Sequence, residues 1–353
     1  MRANKLLRVG IVGCGDVAQW AHIPSLCRTR NAELVAVCDK NEDLARGVAK
    51  KNNIGKYYAD FLEMLAEEKL DMVNICTPPR THATFSIEAM RSGCHVLVEK
   101  PMAMSVKEAD EMIRAGRDYG VKLGVVHNML FVPVAVKARS MVSEGAIGDL
   151  TAVDIRYSLY KYEDEIVNRH HWCHELPAGI FSHKLPHPIY LAMAFLGHLE
   201  PVAAYTKKLG SYDWMAADEL RVILEGEKGL GMITLSCNWP KDTAMLDIFG
   251  TKRNLHIYFN NAVVSTYGLI RYGRLSRGLE NVRQSLQLVA GTACTALNIF
   301  LRRHHYGHYA LIRGFIESVQ NGTEAPVTAE EGREVVRVCE KIISQIGSGL
   351  QRA

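Results

Sequence analysis

The sequence predicts an N-terminal α/β domain on a doubly wound parallel sheet, followed by an α+β domain on a mostly antiparallel, open-faced sheet with helices. Three observations carry this. Up to about Val126, short apolar runs alternate with helical stretches, the pattern of strands buried on both faces beneath helices. A glycine-rich turn, Gly13-Cys14-Gly15, separates the first such run from the first helix. Beyond about residue 128 the rhythm lengthens into alternating stretches at Thr151–Tyr162, Glu219–Glu225 and Gly231–Asn238, with turn chemistry at Gly226-Glu227-Lys228-Gly229, as antiparallel strands require. At 353 residues the chain is long enough for two cores, and the change of rhythm places the boundary between 1–127 and 128–353.

Taken in order, the first-domain strands are Arg8–Val12, Glu33–Cys38, Met72–Cys76, His95–Glu99 and Leu123–His127. Asp60 with Glu63, and Ser105 with Glu108, have the spacing of a capping box, which satisfies two orphan amides at a helix start. The tail returns to helix at Tyr306–Gln320 and again after Thr328 and Glu331, running to about Ile346.

Bulk properties exclude several classes. Hydrophobic residues make up 48% and charged residues 23%, so the whole chain can afford to fold. A net charge of +4 on 42 basic and 38 acidic side chains is too balanced to advertise nucleic acid as a partner. The nine cysteines are scattered without a CxxC pair, which points away from a zinc knuckle or disulfide framework and toward a reducing compartment. The apolar run near the start meets Gly13, Gly15 and Asp16 too early for a secretory signal, so a cytoplasmic protein is expected.

Gly13-Cys14-Gly15-Asp16-Val17-Ala18 follows a strand and opens a helix, the context that gives a GxGxxA run meaning as a Rossmann fingerprint. Gly13 allows the tight turn and Gly15 lets a pyrophosphate approach the backbone. The amides of Asp16 and Val17, at the positive end of the helix, face the anion. Asp39 comes 21 residues after Ala18, at the end of the second strand, where an acid binds ribose hydroxyls. Its charge opposes a 2′-phosphate and favours NAD over NADP, with Lys40 partly offsetting that repulsion.

Further motifs stand at later strand ends: Thr77-Pro78-Pro79 with His82, then Glu99-Lys100-Pro101, then His127-Asn128 and Phe131-Val132-Pro133, with Gly145-Ala146-Ile147-Gly148 and Thr328–Val338 beyond. Together they resemble the Gfo/Idh/MocA family, the glucose-fructose oxidoreductase and inositol dehydrogenase group. The resemblance implies hydride transfer between a nicotinamide cofactor and a secondary alcohol or ketone of a sugar, polyol or sugar derivative. It implies that Thr77, Pro78, His82 and Glu99 adjoin the cofactor, that Lys100 reaches the nicotinamide and the reacting carbon, and that a cis bond precedes Pro101. It places His127 and Asn128 with the substrate. It also leaves open a redox-neutral glycoside-cleaving enzyme and a non-catalytic dinucleotide-sensing regulator. Association of copies through the open sheet face, as a homodimer or homotetramer, is a further implication.

The family's second motif, an aspartate followed four residues on by a histidine, corresponds to Ala178–His187. His187 matches the histidine; His183 stands where the aspartate belongs, and Tyr190 where a further acid follows. A second histidine brings no fixed negative charge. Flanked by Pro186 and Pro188, His187 is expected in the first turn of a helix running to Leu196, whose N-terminal dipole disfavours an imidazolium. His187 is then a neutral base and His183 a relay or orienting group.

His170, His171, Cys173, His174, His183 and His187 form a cluster in sequence, but no ligand motif supports a metal, and none is expected. Trp172, His174, His183 and His187 instead suit hydrogen bonding and stacking with a sugar. The family's arginine after the loop tryptophan is replaced by Cys173, and the preceding strand offers Arg156 and Tyr160 on one face and Tyr157 on the other as alternates. One stretch is unusual: Ser285–Leu301 carries no charge, yet arginines flank it within 271–305. It is too short and too polar to span a bilayer. A helix buried against the sheet or in a subunit interface is expected, with the basic rims offering peripheral contact to anionic lipid or to a phosphorylated sugar.

Overall fold

The computed structural model describes residues 6–159, 163–239, 243–268, 273–300 and 307–350, in two compact units treated separately below. Tyr160 and the flanking Arg271, Arg302 and Arg303 lie outside the described residues.

The first unit holds six parallel strands: β1 (Leu7–Val12), β2 (Ala32–Cys38), β3 (Lys56–Tyr58), β4 (Met72–Ile75), β5 (His95–Val98) and β6 (Leu123–Val125). Their order is β3-β2-β1-β4-β5-β6. The order reverses between β1 and β4, so the carboxyl ends of β1, β4 and β5 lie side by side, where a doubly wound sheet gathers ligands. β1, β4 and β5 are almost wholly buried, which explains their lack of alternation. β3 escapes the sequence reading because only three residues pair, two of them exposed. β5 and β6 end at Val98 and Val125, so Glu99, Lys100 and His127 lie in the loops just beyond.

The anticipated caps form. The Asp60 carboxylate accepts from the amides of Leu62 (2.7 Å) and Glu63 (3.0 Å). Ser105 accepts from the Glu108 amide at 3.1 Å, and Glu331 and Thr328 cap each other reciprocally at 2.8 and 3.1 Å.

This unit also takes in 305–337, which the sequence reading assigns to the second domain. Phe315, on helix Gly307–Asn321, lies fully buried over Gly124, where an added Cβ would stand 2.6 Å from its ring. A helix distant in sequence thus closes the first core.

The second unit carries seven strands: β7 (Leu150–Ser158), β8 (Leu199–Lys207), β9 (Glu219–Gly226), β10 (Gly229–Ser236), β11 (Ala244–Gly250), β12 (Asn254–Tyr258) and β13 (Val263–Tyr267). The order is β13-β12-β11-β7-β10-β9-β8, antiparallel except between β7 and β10. Helix Pro186–Leu196 packs on the face carrying Val153, Leu224 and Gly231. The opposite face is open and leaves Ile223, Leu230 and Met232 exposed.

The uncharged stretch belongs to a longer helix, Arg274–Phe300, and its orientation departs from expectation. The helix runs along the free edge of β13, but its apolar side chains face solvent.

Phe315→Ala should destabilise the first unit by about 3–5 kcal/mol. Denaturant unfolding followed by circular dichroism measures this; an unchanged midpoint would detach the 307–321 helix from that core.

Candidate active site

The turn after β1 is built around Gly13. Its φ is +90°, and a Cβ there would stand 2.7 Å from the Cys76 carbonyl, so only glycine fits beside the end of β4. Gly15 is exposed, and a Cβ there would meet nothing within 4 Å. The backbone therefore fronts open space where a pyrophosphate would rest. The first helical bond from this turn runs from the Gln19 amide to the Gly15 carbonyl (3.2 Å). The earlier amides of Asp16 and Val17 precede it and suit an anion.

Asp39 ties this turn to β2. One carboxylate oxygen accepts from the Cys14 amide at 2.8 Å and the other from the Asn41 amide at 2.9 Å, fixing the group while each oxygen keeps acceptor capacity for a ribose hydroxyl. Burial first, and the Asp39 charge second, push the Cys14 thiol up to about 12. Lys40 is exposed beside it.

At the end of β4, Thr81 Oγ1 donates to Thr77 Oγ1 (2.8 Å), and Pro78 is exposed. His82 lies between this loop and the one after β5. Fully buried, its Nε2 lies 2.8 Å from the Thr77 carbonyl and its Nδ1 2.8 Å from the Pro101 carbonyl. Burial lowers its affinity for a proton, and a neutral imidazole donates from one nitrogen only, so one of these two carbonyls, on the loops after β4 and β5, receives its hydrogen bond.

The centre of the unit is Glu99. Its Oε1 accepts from His22 Nε2 at 2.9 Å, and its Oε2 accepts from the Lys100 amide at 3.1 Å. Asn74 Nδ2 donates to His22 Nδ1 at 2.8 Å, which fixes the proton of His22 on Nε2, facing the carboxylate. His308 Nε2 stands 3.7 Å from the same oxygen, too far for a direct bond but close enough to act electrostatically. Burial alone would push Glu99 up; His22 and His308 outweigh it and hold the carboxyl well below the usual range. Lys100 follows, half-buried, with a cis bond to Pro101, as the resemblance implied. Its charge is felt at both His82 and His308. Glu99 is thus a buried anchor for the Lys100 backbone. His127 is also buried, and desolvation drives its imidazole down to about 3, so it is neutral. Asn128 is half-buried at the start of the Asn128–Phe131 turn.

In the second unit, His187 occupies the first turn of helix Pro186–Leu196, as expected. The preceding helix Ile180–Lys184 leads straight into it through a helical Leu185, however, so His187 does not stand at a free helix end and the anticipated dipole effect is weakened. What governs it is Tyr190: the buried phenol oxygen lies 2.7 Å from His187 Nδ1. If Nδ1–H donates to that oxygen, Nε2 carries the lone pair and can accept a proton.

His183 meets Trp172 edge to face at 4.9 Å and lies 3.7 Å from Glu165 Oε1, whose other oxygen pairs with buried Lys184 at 2.5 Å. Burial lowers the affinity of His174 for a proton. Among the described residues no three His, Cys, Asp or Glu side chains are grouped to hold a metal ion. Arg156 does not join these residues. It sits on the open sheet face, away from helix Pro186–Leu196, paired with Asp247, which also holds His256. The proposed alternate Tyr160 lies outside the described residues. The sequence reading missed His22, Asn74, His308, Glu165 and Lys184. None belongs to a local motif, although an His-Ile-Pro run at 22–24 was there to be asked about.

A parallel six-stranded sheet with a glycine turn, an anchored acid after β2 and a lysine after β5 defines a dinucleotide-binding oxidoreductase class. Family comparison agrees: residues 7–127 match the oxidoreductase family with an NAD-binding Rossmann fold, and 139–349 match that family's C-terminal alpha/beta domain. The chain belongs to the Gfo/Idh/MocA oxidoreductase family. It is 35% identical over 150 residues to D-glucoside 3-dehydrogenase of Escherichia coli K12, covering 42% of this chain and 43% of that one. It is 28% identical over 197 residues to Oxidoreductase P35 of Formosa agariphila, covering 55% and 61%. These matches span about half the length of the curated relatives. The fold also resembles the WlbA dehydrogenase of Bordetella pertussis, solved with NADH and UDP-GlcNAcA (TM-score 0.79, 21% identity, covering 98% and 97%). Scyllo-inositol dehydrogenase of Lactobacillus casei, solved with NAD(H) and scyllo-inositol, is similar (0.77, 17%, 98% and 98%).

The buried ionisable groups make stability fall with acid. An unfolded His127 takes its proton near 6.5 while the folded one resists to about 3, so folding free energy declines as pH drops through that window. Glu99, held ionised when folded, stabilises above its ordinary range and loses that contribution on further acidification. Chemical unfolding at a series of pH values should show His127→Gln flattening the slope between about 6.5 and 3; an unchanged slope would remove His127 as the cause. His22→Phe, which strands the Glu99 charge, should cost about 3–5 kcal/mol at neutral pH.

Proposed function

We propose that the protein is an NAD-dependent dehydrogenase or reductase of a secondary alcohol or ketone on a sugar, polyol or sugar derivative. The observation that carries this is Lys100, set by the anchored Glu99 at the end of β5, in the same unit as the Gly13–Gly15 turn and Asp39. The Gly13 turn, the open space at Gly15 and the two free acceptor positions of Asp39 fit a dinucleotide with an unmodified ribose. Bound there, the nicotinamide would supply the hydride acceptor or donor.

The chain's own residues supply the rest of the chemistry. The Lys100 ammonium hydrogen-bonds the reacting oxygen and steadies charge as it develops there. His187 Nε2 takes the hydroxyl proton, with Nδ1–H held by the Tyr190 oxygen. Trp172 and His183, packed edge to face, offer a ring surface and a polar nitrogen to the substrate. His174 lies in the same Trp172–Glu175 turn as Trp172. Sugar and polyol relatives favour this substrate class. Copies associate as a dimer or tetramer through the open face bearing Ile223, Leu230 and Met232. The nine cysteines, all free thiols, suit the cytoplasm.

Lys100→Met should leave NADH binding intact while cutting turnover on a responsive sugar by at least about a hundredfold. Near-normal turnover would remove the lysine from the chemistry. Titration with both cofactors should show tighter binding of NAD, and Asp39→Ser should narrow the gap; a parent preference for NADP would overturn the role of Asp39. Tyr190→Phe should shift the acid limb of the pH–rate profile without abolishing activity, and an unmoved limb would separate Tyr190 from the base.

A further inference from the structure

Helix Arg274–Phe300 is turned inside out. Its polar side chains face the sheet and complete the edge of β13. Gln287 Oε1 accepts from the Thr266 amide at 2.8 Å while its Nε2 donates to the Thr266 carbonyl at 3.4 Å, so one side chain pairs the strand as a neighbouring strand would. Arg283 donates to Thr266 Oγ1 (2.8 Å), and Thr295 donates to the Ala262 carbonyl (3.2 Å). Gly291 lets the helix close on Val263, where a Cβ would stand 2.9 Å away. A bare strand edge invites unwanted pairing, and this helix removes it.

The consequence is an exposed apolar stripe. Leu275, Leu279, Val282, Leu286, Val289, Ala293, Ala296 and Phe300 recur at alternating steps of four and three, and all face solvent; Leu275 is 87% and Phe300 83% exposed. Toward the C-terminal end Ala290 and Leu297 widen the stripe, and no charge interrupts it after Arg283. A stripe of this extent on a free surface implies a partner.

Charge decides which. The 271–305 segment carries six arginines against a single glutamate, Glu280. Two copies meeting stripe to stripe would set one net-basic segment against another, and Ala293 and Ala296 are small for interlocking seam positions. An anionic bilayer surface accepts both the apolar stripe and the arginines at once. Among the described residues no helix is long and apolar enough to cross a membrane, so the helix would lie in the plane of the interface.

We propose that helix Arg274–Phe300 docks this protein on anionic phospholipid membranes, its outer stripe seated among the acyl chains. The probe is flotation with vesicles of phosphatidylglycerol and phosphatidylcholine, compared with phosphatidylcholine alone. The protein should float with the anionic vesicles, roughly tenfold less with neutral ones or in high salt. The triple variant Leu286→Gln, Val289→Gln, Phe300→Gln changes only exposed side chains. It should lose flotation by at least about tenfold while keeping NADH affinity and its thermal midpoint. The proposal is overturned if the parent stays unbound with anionic vesicles, or if the triple variant floats as well as the parent. It is equally overturned if the parent fails to float and the triple variant sediments as a smaller oligomer, which would assign the stripe to a second copy.

Discussion

A single buried negative charge governs the arrangement of the first unit. A carboxylate removed from water costs several kcal/mol unless it is paired and hydrogen-bonded. Glu99 meets that demand with His22 on one oxygen and the Lys100 amide on the other. His22 can serve as donor only because Asn74 holds its opposite nitrogen. Three separate chain regions must therefore be correctly placed before Lys100 is, and His308 adds a fourth from the tail. The arrangement ties the Lys100 backbone amide to the buried network.

The same logic explains why the chain returns to its first unit after building a second sheet. The 307–321 helix delivers Phe315 to the core over Gly124 and His308 to the Glu99 charge. Packing and electrostatics are served by one element, and the resulting unit is discontinuous in sequence. His82 lies buried between the loops after β4 and β5, within hydrogen-bond distance of a carbonyl on each.

What was legible in the sequence is what depends on neighbours along the chain. Gly13, Asp39, the capping pairs at Asp60, Ser105 and Thr328, and the position of His187 in a first turn all follow from local pattern, and each is where that pattern puts it. The partners of Glu99 were not legible, because His22, Asn74 and His308 come from residues 52 to 286 apart and nothing local announces them. Arg156 illustrates a second limit. Strand alternation assigned it correctly to a face shared with other even positions, but only the packing of helix Pro186–Leu196 on the other side shows that this face leads away from the histidines. The return of the 307–321 helix to the first core was not legible for the same reason, since Phe315 and Gly124 are far apart in sequence.

The replacement of a family acid by Tyr190 deserves a physical reading of its own. A carboxylate beside His187 would stabilise the imidazolium and raise its affinity for a proton. A phenol, neutral at ordinary pH, meets the ring at Nδ1 but adds no charge. His183 in place of the aspartate removes a second negative charge, and its nearest acid, Glu165, is already committed to Lys184 at 2.5 Å. The two exchanges act in one direction. Both remove a fixed negative charge from the positions that flank His187 in the sequence motif, so in the proposed role an imidazolium formed there has neither of those carboxylates beside it.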